Sequence, residues 1–216
     1  MKKHFSYLAA GVVALAVSTS THAATNVLSE GFDDINALQD WSQYNGSMPP
    51  GQGWFQGNAG IFAAHAGAAD SYIATNFLAA GNGSGSVDNW LITPLLNLTG
   101  TSILSFFSRA GGTPGYSDFL EVRFDNGSGT FSTPLAVIGG LTPYATRWTS
   151  YSAQFHVEGT GRIAFRYLGD ADSLEYIGID SVNVMTAVPE PSTWLMLALG
   201  LAGVAALRRR YPPFVA

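Results

Sequence analysis

Few side chains in this sequence could carry out catalysis. The chain of 216 residues has no cysteine and four histidines, of which His65 and His156 lie beyond residue 23. Neither belongs to a His-Glu-x-x-His zinc motif, and no Gly-x-Ser-x-Gly nucleophile motif is present. An isolated histidine is more often a surface or packing residue than a base. We therefore predict a protein that is not an enzyme.

A pair of carboxylates is the remaining route to catalysis. Glycoside hydrolysis needs only two carboxyl groups at the correct separation, and the sequence contains fifteen acidic residues. No motif singles out a pair among them. An enzyme acting on polysaccharide therefore stays open as the alternative.

Two carboxylates on predicted strands point to a metal site. Glu30 is in phase with Leu28, and Asp180 is in phase with Val182, so both fall on faces predicted to point inward. A buried carboxylate is costly unless it is paired or ligates a cation, and oxygen ligands suit Ca²⁺. We predict Glu30 and Asp180 as ligands of a structural Ca²⁺.

Two further carboxylates extend this prediction. Asp33 and Asp118 are candidate additional ligands. In the alternative interpretation, β-bulges turn the first two carboxylates outward, or an arginine, Arg162 or Arg166, pairs with them.

Aromatic side chains supply a second candidate site. Trp41, Tyr44 and Trp54 lie in a stretch rich in loop-forming residues, where exposed rings could stack on sugar. We predict these three residues as glycan contacts. The alternative is that they belong to the core, where we also expect Trp90 and Trp148.

The elements that must position these side chains are predicted to be strands. Alternation over 120–124 and 163–167 is typical of half-buried strands. Apolar stretches between turn residues predict further strands at Val27–Phe32, Tyr72–Ala74, Trp90–Thr93, Ile103–Ser108, Leu135–Ile138, Thr149–Val157 and Tyr176–Val184. Glycines such as those in Gly159–Gly161 are expected to separate them, and 25 glycines oppose helix formation. The predicted fold is all-β, a single jelly-roll-like antiparallel β-sandwich over 25–187.

Charge and composition restrict the partners of this domain. Between the terminal segments 1–23 and 188–216 the chain keeps five arginines, no lysine and fourteen acidic residues, a net charge of −9. Such a surface repels phosphate backbones, so nucleic acid is excluded as a partner. About 160 residues can bury one core without disulfides, and no linker or fixed-period repeat divides them.

The first 23 residues have the three parts of a secretory signal peptide. Met1–Lys3 is basic, Tyr7–Val17 is apolar, and Thr21–Ala23 forms a small-x-small cleavage site. We predict export, with removal of residues 1–23 by signal peptidase. A retained membrane anchor is the alternative, although the apolar part is short for a span.

The C-terminal segment is predicted to leave the domain and enter a membrane. Pro189 and Pro191 prevent a continuing strand or helix. The apolar run 194–207 would form a helix of about 21 Å against a hydrocarbon core of roughly 30 Å, and it begins at Trp194, which suits the membrane interface. Arg208–Arg210 favour the cytoplasmic side. The alternative is a buried helix of the globular core.

The same tail resembles a known sorting signal. Val188, Pro189, Glu190 and Pro191, a hydrophobic helix, and then the cluster Arg208, Arg209 and Arg210 occur in this order at the C terminus. This order resembles the PEP-CTERM signal of Gram-negative bacteria. The resemblance implies that the membrane protease exosortase recognises 188–210 and cuts near Pro189–Pro191. The short cytoplasmic tail 211–216 departs from the pattern, because such signals usually stop sooner.

Five stretches of the domain carry a second resemblance: Glu30–Asp33, Asp88–Pro94, Ser117–Val122, Trp148 and Ile177–Val182. They resemble the choice-of-anchor J domain, which is similar to the cleaved-adhesin and MAM-type jelly rolls of surface proteins. The resemblance spans nearly all of 27–186. In jelly rolls the first and last strands are commonly neighbours, and the resemblance implies that a structural calcium is often held near them.

Together these features predict an exported, non-catalytic protein of the bacterial surface or extracellular matrix, adhesive or associated with polysaccharide. The helix 194–207 would hold it transiently in the inner membrane until exosortase releases it. The alternatives are an enzyme acting on extracellular polysaccharide and a structural protein that stays anchored.

Overall fold

The computed structural model describes residues 24–140, 142–188 and 200–202. Its ten strands are β1 (Ala24–Glu30), β2 (Ser42–Asn45), β3 (Phe55–Gln56), β4 (Ile73–Asn76), β5 (Ser86–Ile92), β6 (Leu96–Ala110), β7 (Phe119–Asp125), β8 (Thr133–Gly139), β9 (Thr149–Asp170) and β10 (Tyr176–Ala187). Short 3₁₀ helices lie at Ile35–Ala37, Phe77–Ala79, Gly81–Gly83 and Ala171–Ser173. The predicted all-β class is confirmed, and the sequence reasoning missed β2 and β3.

The strands pair antiparallel in two layers. In the first layer, β6 lies between β9 and β10, and the far edge of β10 is shared by β1 and β4, with β3 beyond β4. The second layer has the order β2, β5, β9, β7, β8. The predicted neighbourhood of the first and last strands, β1 and β10, is confirmed.

Strand β9 belongs to both layers. Its part Thr149–Gly161 pairs with β6, and the part from Arg162 to Asp170 pairs with β5 and β7. The predicted turn at Gly159–Gly161 is therefore wrong, because the strand continues through these glycines. Gly159 has a φ of 121°, which residues with a Cβ rarely adopt, and glycine commonly marks such a corner.

The inward faces of the two layers form the main hydrophobic core. Along β6, buried Leu104 and Phe106 alternate with more exposed outward neighbours. Phe106 meets Phe165 of the second layer edge to face, with ring centroids 5.1 Å apart. Each such buried side chain contributes about 1.5–3 kcal/mol, so packing holds the layers together without disulfides. The arrangement is consistent with an all-β sandwich, and the jelly-roll assignment stays a prediction.

A second, smaller apolar cluster covers part of the outer face of the first layer. Phe62 and Tyr72, from the connection between β3 and β4, pack on Tyr176 of β10. Trp148 is half-buried and meets Phe62 edge to face at 5.5 Å. Trp148, expected in the core, therefore packs against this outer cluster as a half-buried side chain and does not enter the main core.

Several predicted features lie outside the described residues. They are the signal peptide 1–23, the motif residues 189–191, the arginines 208–210, the tail 211–216 and the candidate transmembrane segment 194–207, of which 200–202 are described and helical. No helix in the described part of the chain combines the length and hydrophobicity that crossing a bilayer requires.

Candidate functional site

Asp180 lies on the outer face of the first layer. It pairs with Phe107 of β6, and the next paired residue of β10 is Asn183, opposite Ser105. The extra residue is accommodated at Ser181, which has a φ of 52°. The side chains of two paired residues lie on the same face of the sheet. Because of the extra residue in the bulge, Asp180 and Val182 therefore point to opposite faces. The prediction that Asp180 points inward with Val182 is wrong, and the outward alternative is confirmed for this residue.

The Asp180 carboxylate is nevertheless fully buried, because the chain after Phe62 folds over it. Its Oδ2 accepts hydrogen bonds from the backbone N–H groups of His65, at 2.8 Å, and Ala66, at 3.1 Å. Its Oδ1 accepts from Ser181 Oγ at 3.1 Å. Donors of this kind stabilise a buried carboxylate. The burial of Asp180 therefore has an explanation that does not require a cation.

The other three predicted calcium ligands differ in their surroundings. Glu30 accepts a 2.7 Å hydrogen bond from the backbone N–H of Phe32, Asp33 is exposed, and Asp118 contacts Tyr167 and the backbone of Glu175. Within the described ranges, no three acidic or histidine side chains are grouped as a metal site. The four carboxylates do not form one ligand set, and calcium binding stays a prediction.

His65 lies close to a hydroxyl that could act as a nucleophile. Its Nδ1 is 3.3 Å from Ser181 Oγ, and its ring stacks on Phe107 with centroids 3.5 Å apart. A Ser-His-Asp arrangement needs the carboxylate on the imidazole, where it orients the base. Here Asp180 accepts from Ser181 instead. The geometry therefore corresponds to a loop anchor rather than to an activated serine.

A cleft on the surface is lined by two acidic side chains, Asp118 and Glu175. It has a volume of ≈ 200 Å³ and is lined by the chain around Thr113 to Tyr116, Asp118, Tyr144 and Glu175. Burial raises the pKa of the Asp118 carboxyl, hydrogen bonds from Tyr167 and the Glu175 N–H oppose this, and the charge of Glu175 adds to it. Glu175 in turn accepts from the backbone of Gly112 and Thr113. Both carboxylates thus anchor the loops of the cleft.

The three predicted glycan contacts do not share one surface. Trp54 is 4% exposed, which leaves no ring face for a sugar, so its assignment as a contact is wrong. Trp41 is half-buried and meets Phe32 edge to face at 5.4 Å. Tyr44 is 61% exposed. Of the three, Tyr44 alone presents its ring to solvent.

Tyr44 begins a row of paired residues across the outer face of the second layer. Tyr44 pairs with Trp90, Trp90 with Arg166, Arg166 with Glu121, and Glu121 with Val137. We call these five residues the cross-strand row. Trp90 is half-buried and points outward, between buried Asn89 and Leu91 of β5, so the expectation that it lies in the core is wrong. Asn89 is polar, so its burial could not be predicted from the sequence, and the alternation of buried and outward residues along β5 was missed.

Charged side chains hold the middle of the row in place. Arg166 Nε donates to Asp88 Oδ1 at 2.7 Å, and its Nη1 donates to Glu121 Oε2 at 3.3 Å. Asp88 Oδ1 also accepts from Trp90 Nε1 at 2.7 Å. The hydrogen bond that Arg166 donates to Asp88 raises the pKa of Arg166. Burial raises the pKa of Glu121, but hydrogen bonds from Arg123 and Arg166 outweigh it and leave that pKa lowered.

Comparison with protein families locates the sorting signal. Residues 187–210 match the PEP-CTERM protein-sorting motif, and the motif implies recognition by exosortase. The predicted sorting signal is thereby confirmed. No curated protein matches the chain.

Comparison with solved structures relates the fold to adhesin domains. The K1 cleaved adhesin domain of Lys-gingipain from Porphyromonas gingivalis has 26% identity and a TM-score of 0.61, over 76% of this chain and 99% of that domain. The K3 domain of the same protein has 25% identity and a TM-score of 0.58, over 76% and 100%. The K2 domain, at 19% identity and a TM-score of 0.53, shares the fold over 75% and 99%. The predicted similarity to cleaved adhesin domains is confirmed, and with the sorting motif it supports an exported surface protein.

Proposed function

We propose that this protein is a non-catalytic adhesive protein of the cell surface or extracellular matrix, associated with polysaccharide and delivered there by exosortase. The observation that carries the proposal is the order of its parts. The sorting motif at 187–210 begins at the last residue of β10, directly after a domain similar to cleaved adhesins. A domain placed in this way reaches the outside of the cell as a folded unit.

The proposed route to the surface uses both terminal signals. Signal peptidase removes residues 1–23, and the segment 194–207 holds the chain transiently in the inner membrane of a Gram-negative cell, with Arg208–Arg210 in the cytoplasm. Exosortase then cuts near Pro189–Pro191. We assign the domain to the choice-of-anchor J type. The pairing of β1 with β10 supports the jelly-roll part of this assignment, because the first and last strands of jelly rolls are commonly neighbours.

A non-catalytic role is supported by the hydrogen bonds of the acidic and nucleophilic side chains, which hold parts of the structure together. Asp180 anchors the chain at His65 and Ala66, and Asp118 and Glu175 anchor the loops of the cleft. The raised pKa of Asp118 is the single feature that favours the alternative, a polysaccharide-cleaving enzyme, since a general acid needs such a shift.

The proposal is tested by measuring binding and sugar release in the same samples. The full chain in detergent is incubated with extracellular polysaccharide of the producing cells, and bound protein and released reducing sugar are both quantified. We expect binding without release. Release that is lost in Asp118→Asn would establish the enzyme instead. Absence of both binding and release would contradict the association with polysaccharide.

A further inference from the structure

We propose that the cross-strand row binds an uncharged polysaccharide, with Tyr44 and Trp90 as the rings on which sugar residues stack. This inference rests on the proposed function and names its binding surface. It also replaces Trp41 and Trp54, which the fold places in or against the core.

The rings of the row form a strip at one end of the second layer. Tyr44 of β2 and Trp90 of β5 are paired residues, so their side chains lie on the same face of neighbouring strands about 5 Å apart. Phe131, from the connection between β7 and β8, extends the strip, with its ring centroid 5.7 Å from that of Trp90. The Trp90 and Phe131 rings are inclined at 46° to each other, and aromatic rings of this kind offer apolar faces on which sugar residues can stack.

Hydrogen-bonding groups lie beside the strip and are already ordered. Arg166 is over the Trp90 ring, with Cζ 4.8 Å from its centroid, and its ion pairs join Asp88 and Glu121. The side chains of Arg166, Asp88 and Glu121 are 26%, 29% and 16% exposed, so sugar hydroxyls can reach them. Side chains fixed before binding lose less conformational entropy on binding.

The charges of the face argue for an uncharged ligand. Two arginines, Arg123 and Arg166, are paired with two carboxylates, Asp88 and Glu121, so the network is neutral. The domain around it carries a net charge of −9 over 25–187, which repels anionic polymers. A neutral polysaccharide is therefore the occupant that fits, since it can use the rings and hydroxyl partners without electrostatic cost.

The two ends of the row stay open to solvent. Tyr44 is 61% exposed and Val137 at the other end is 60% exposed. By contrast, the outer face of the first layer is partly covered by the second apolar cluster. A row open at both ends can accept a chain that continues beyond it, as a polysaccharide does.

The test measures retardation of the full chain, in detergent, in native gels that contain polysaccharide. Hydroxyethyl cellulose and dextran serve as neutral probes, polygalacturonate as an anionic probe, and polysaccharide of the producing cells as the fourth. We expect retardation by that polysaccharide and by a neutral probe, and none by polygalacturonate. Tyr44→Ala should weaken binding about tenfold, the effect of losing one stacking contact of about 1.4 kcal/mol. Tyr44→Phe keeps the ring and should bind like the wild type.

Phe77→Ala is the control, because Phe77 is 37% exposed and lies between β4 and β5, outside both the row and the cleft. Wild-type binding that Tyr44→Ala leaves unchanged would overturn the row as the site while the proposed function stands. Preferential binding of polygalacturonate would overturn the uncharged ligand. If none of the four polysaccharides retards the wild type, both the proposed function and the proposed binding site are contradicted. Light scattering completes the test: if Tyr44→Ala abolishes a dimer instead, the face is an interface between two copies.

Discussion

Asp180 holds a long connection onto the outer face of the first layer. The carboxylate is fully buried and accepts hydrogen bonds from two backbone N–H groups, of His65 and Ala66, and from the Ser181 hydroxyl. Removing it would leave both N–H groups without this partner in a site closed to water. An unpaired buried donor costs about 1–3 kcal/mol.

Asp180→Ala is accordingly expected to lower the free energy of unfolding by about 1–3 kcal/mol. Urea denaturation of the full chain measures the effect. Asp172→Ala is the matched control, since Asp172 is exposed in the connection before β10, and it should change stability by less than about 0.5 kcal/mol. Equal effects of the two substitutions would contradict the anchoring role.

The predicted calcium site can be tested on the same residues. A cation that binds only the folded state must raise the melting temperature. If Glu30 and Asp180 hold Ca²⁺, melting of the wild type should shift upward with CaCl₂ and downward with chelator, and Glu30→Gln should abolish the response. Identical melting temperatures in calcium and in chelator would refute the site.

Asp118 is expected to make stability depend on pH. Because burial raises its pKa in the folded state, the folded protein binds a proton more readily than the unfolded chain, whose Asp pKa is about 3.9. Stability therefore falls as pH rises from this value through the raised pKa. Asp118→Asn keeps an acceptor for Tyr167 and removes the charge.

The variant should therefore melt at higher temperature than the wild type near pH 7, and the difference should shrink as pH falls toward 4. For a domain of this size each kcal/mol shifts melting by about 2–4 °C. Melting curves between pH 4 and 7 measure this, with Asp172→Asn as the exposed control. A difference that is constant over this range would show that the carboxyl charge is not the cause.

At the scale of elements, β9 determines how the two layers are connected. The strand passes from β6 in the first layer to β5 and β7 in the second without ending. Gly161 lies at this transition, where an added Cβ would be 2.3 Å from Phe124 Cζ and 2.7 Å from the Asp125 carbonyl oxygen. One of these contacts is backbone and the other is the ring of buried Phe124, so a methyl group there would have to displace packed atoms.

Gly161→Ala should therefore lower the free energy of unfolding by about 1–3 kcal/mol through overpacking. Gly31→Ala is the matched control, because an added Cβ at Gly31 has nothing within 4 Å. Guanidinium unfolding of both variants compares them directly. A Gly161→Ala variant as stable as Gly31→Ala would show that the corner of β9 tolerates a side chain.

At the scale of the whole molecule, the two ends of the described domain lie next to each other. Ala24, the residue after the predicted signal peptide, is paired with Ala187, the first residue of the matched sorting motif. The first residue of β1 and the last residue of β10 are therefore neighbours.

Substituting both motif prolines, Pro189→Ala with Pro191→Ala, is expected to block processing and keep the protein in the membrane fraction. Intact mass of the surface-exposed protein measures cleavage, because the processed form lacks 194–210. The control replaces Pro212 and Pro213, which lie beyond the matched residues 187–210, and should be processed normally. A surface species of the wild type that retains 194–210 would refute exosortase cleavage.

The sequence by itself determined the fold class, the sorting tail and most strands, because alternation, turn residues and signal order are local properties. Only the tertiary structure decided which way several key side chains point. The bulge at Ser181 turns the Asp180 side chain to the outer face of the sheet. The burial of the polar Asn89 made the outward position of Trp90 impossible to predict from alternation. The cross-strand row joins residues as distant as Tyr44 and Arg166, and register between strands depends on long-range packing that local spacing does not contain.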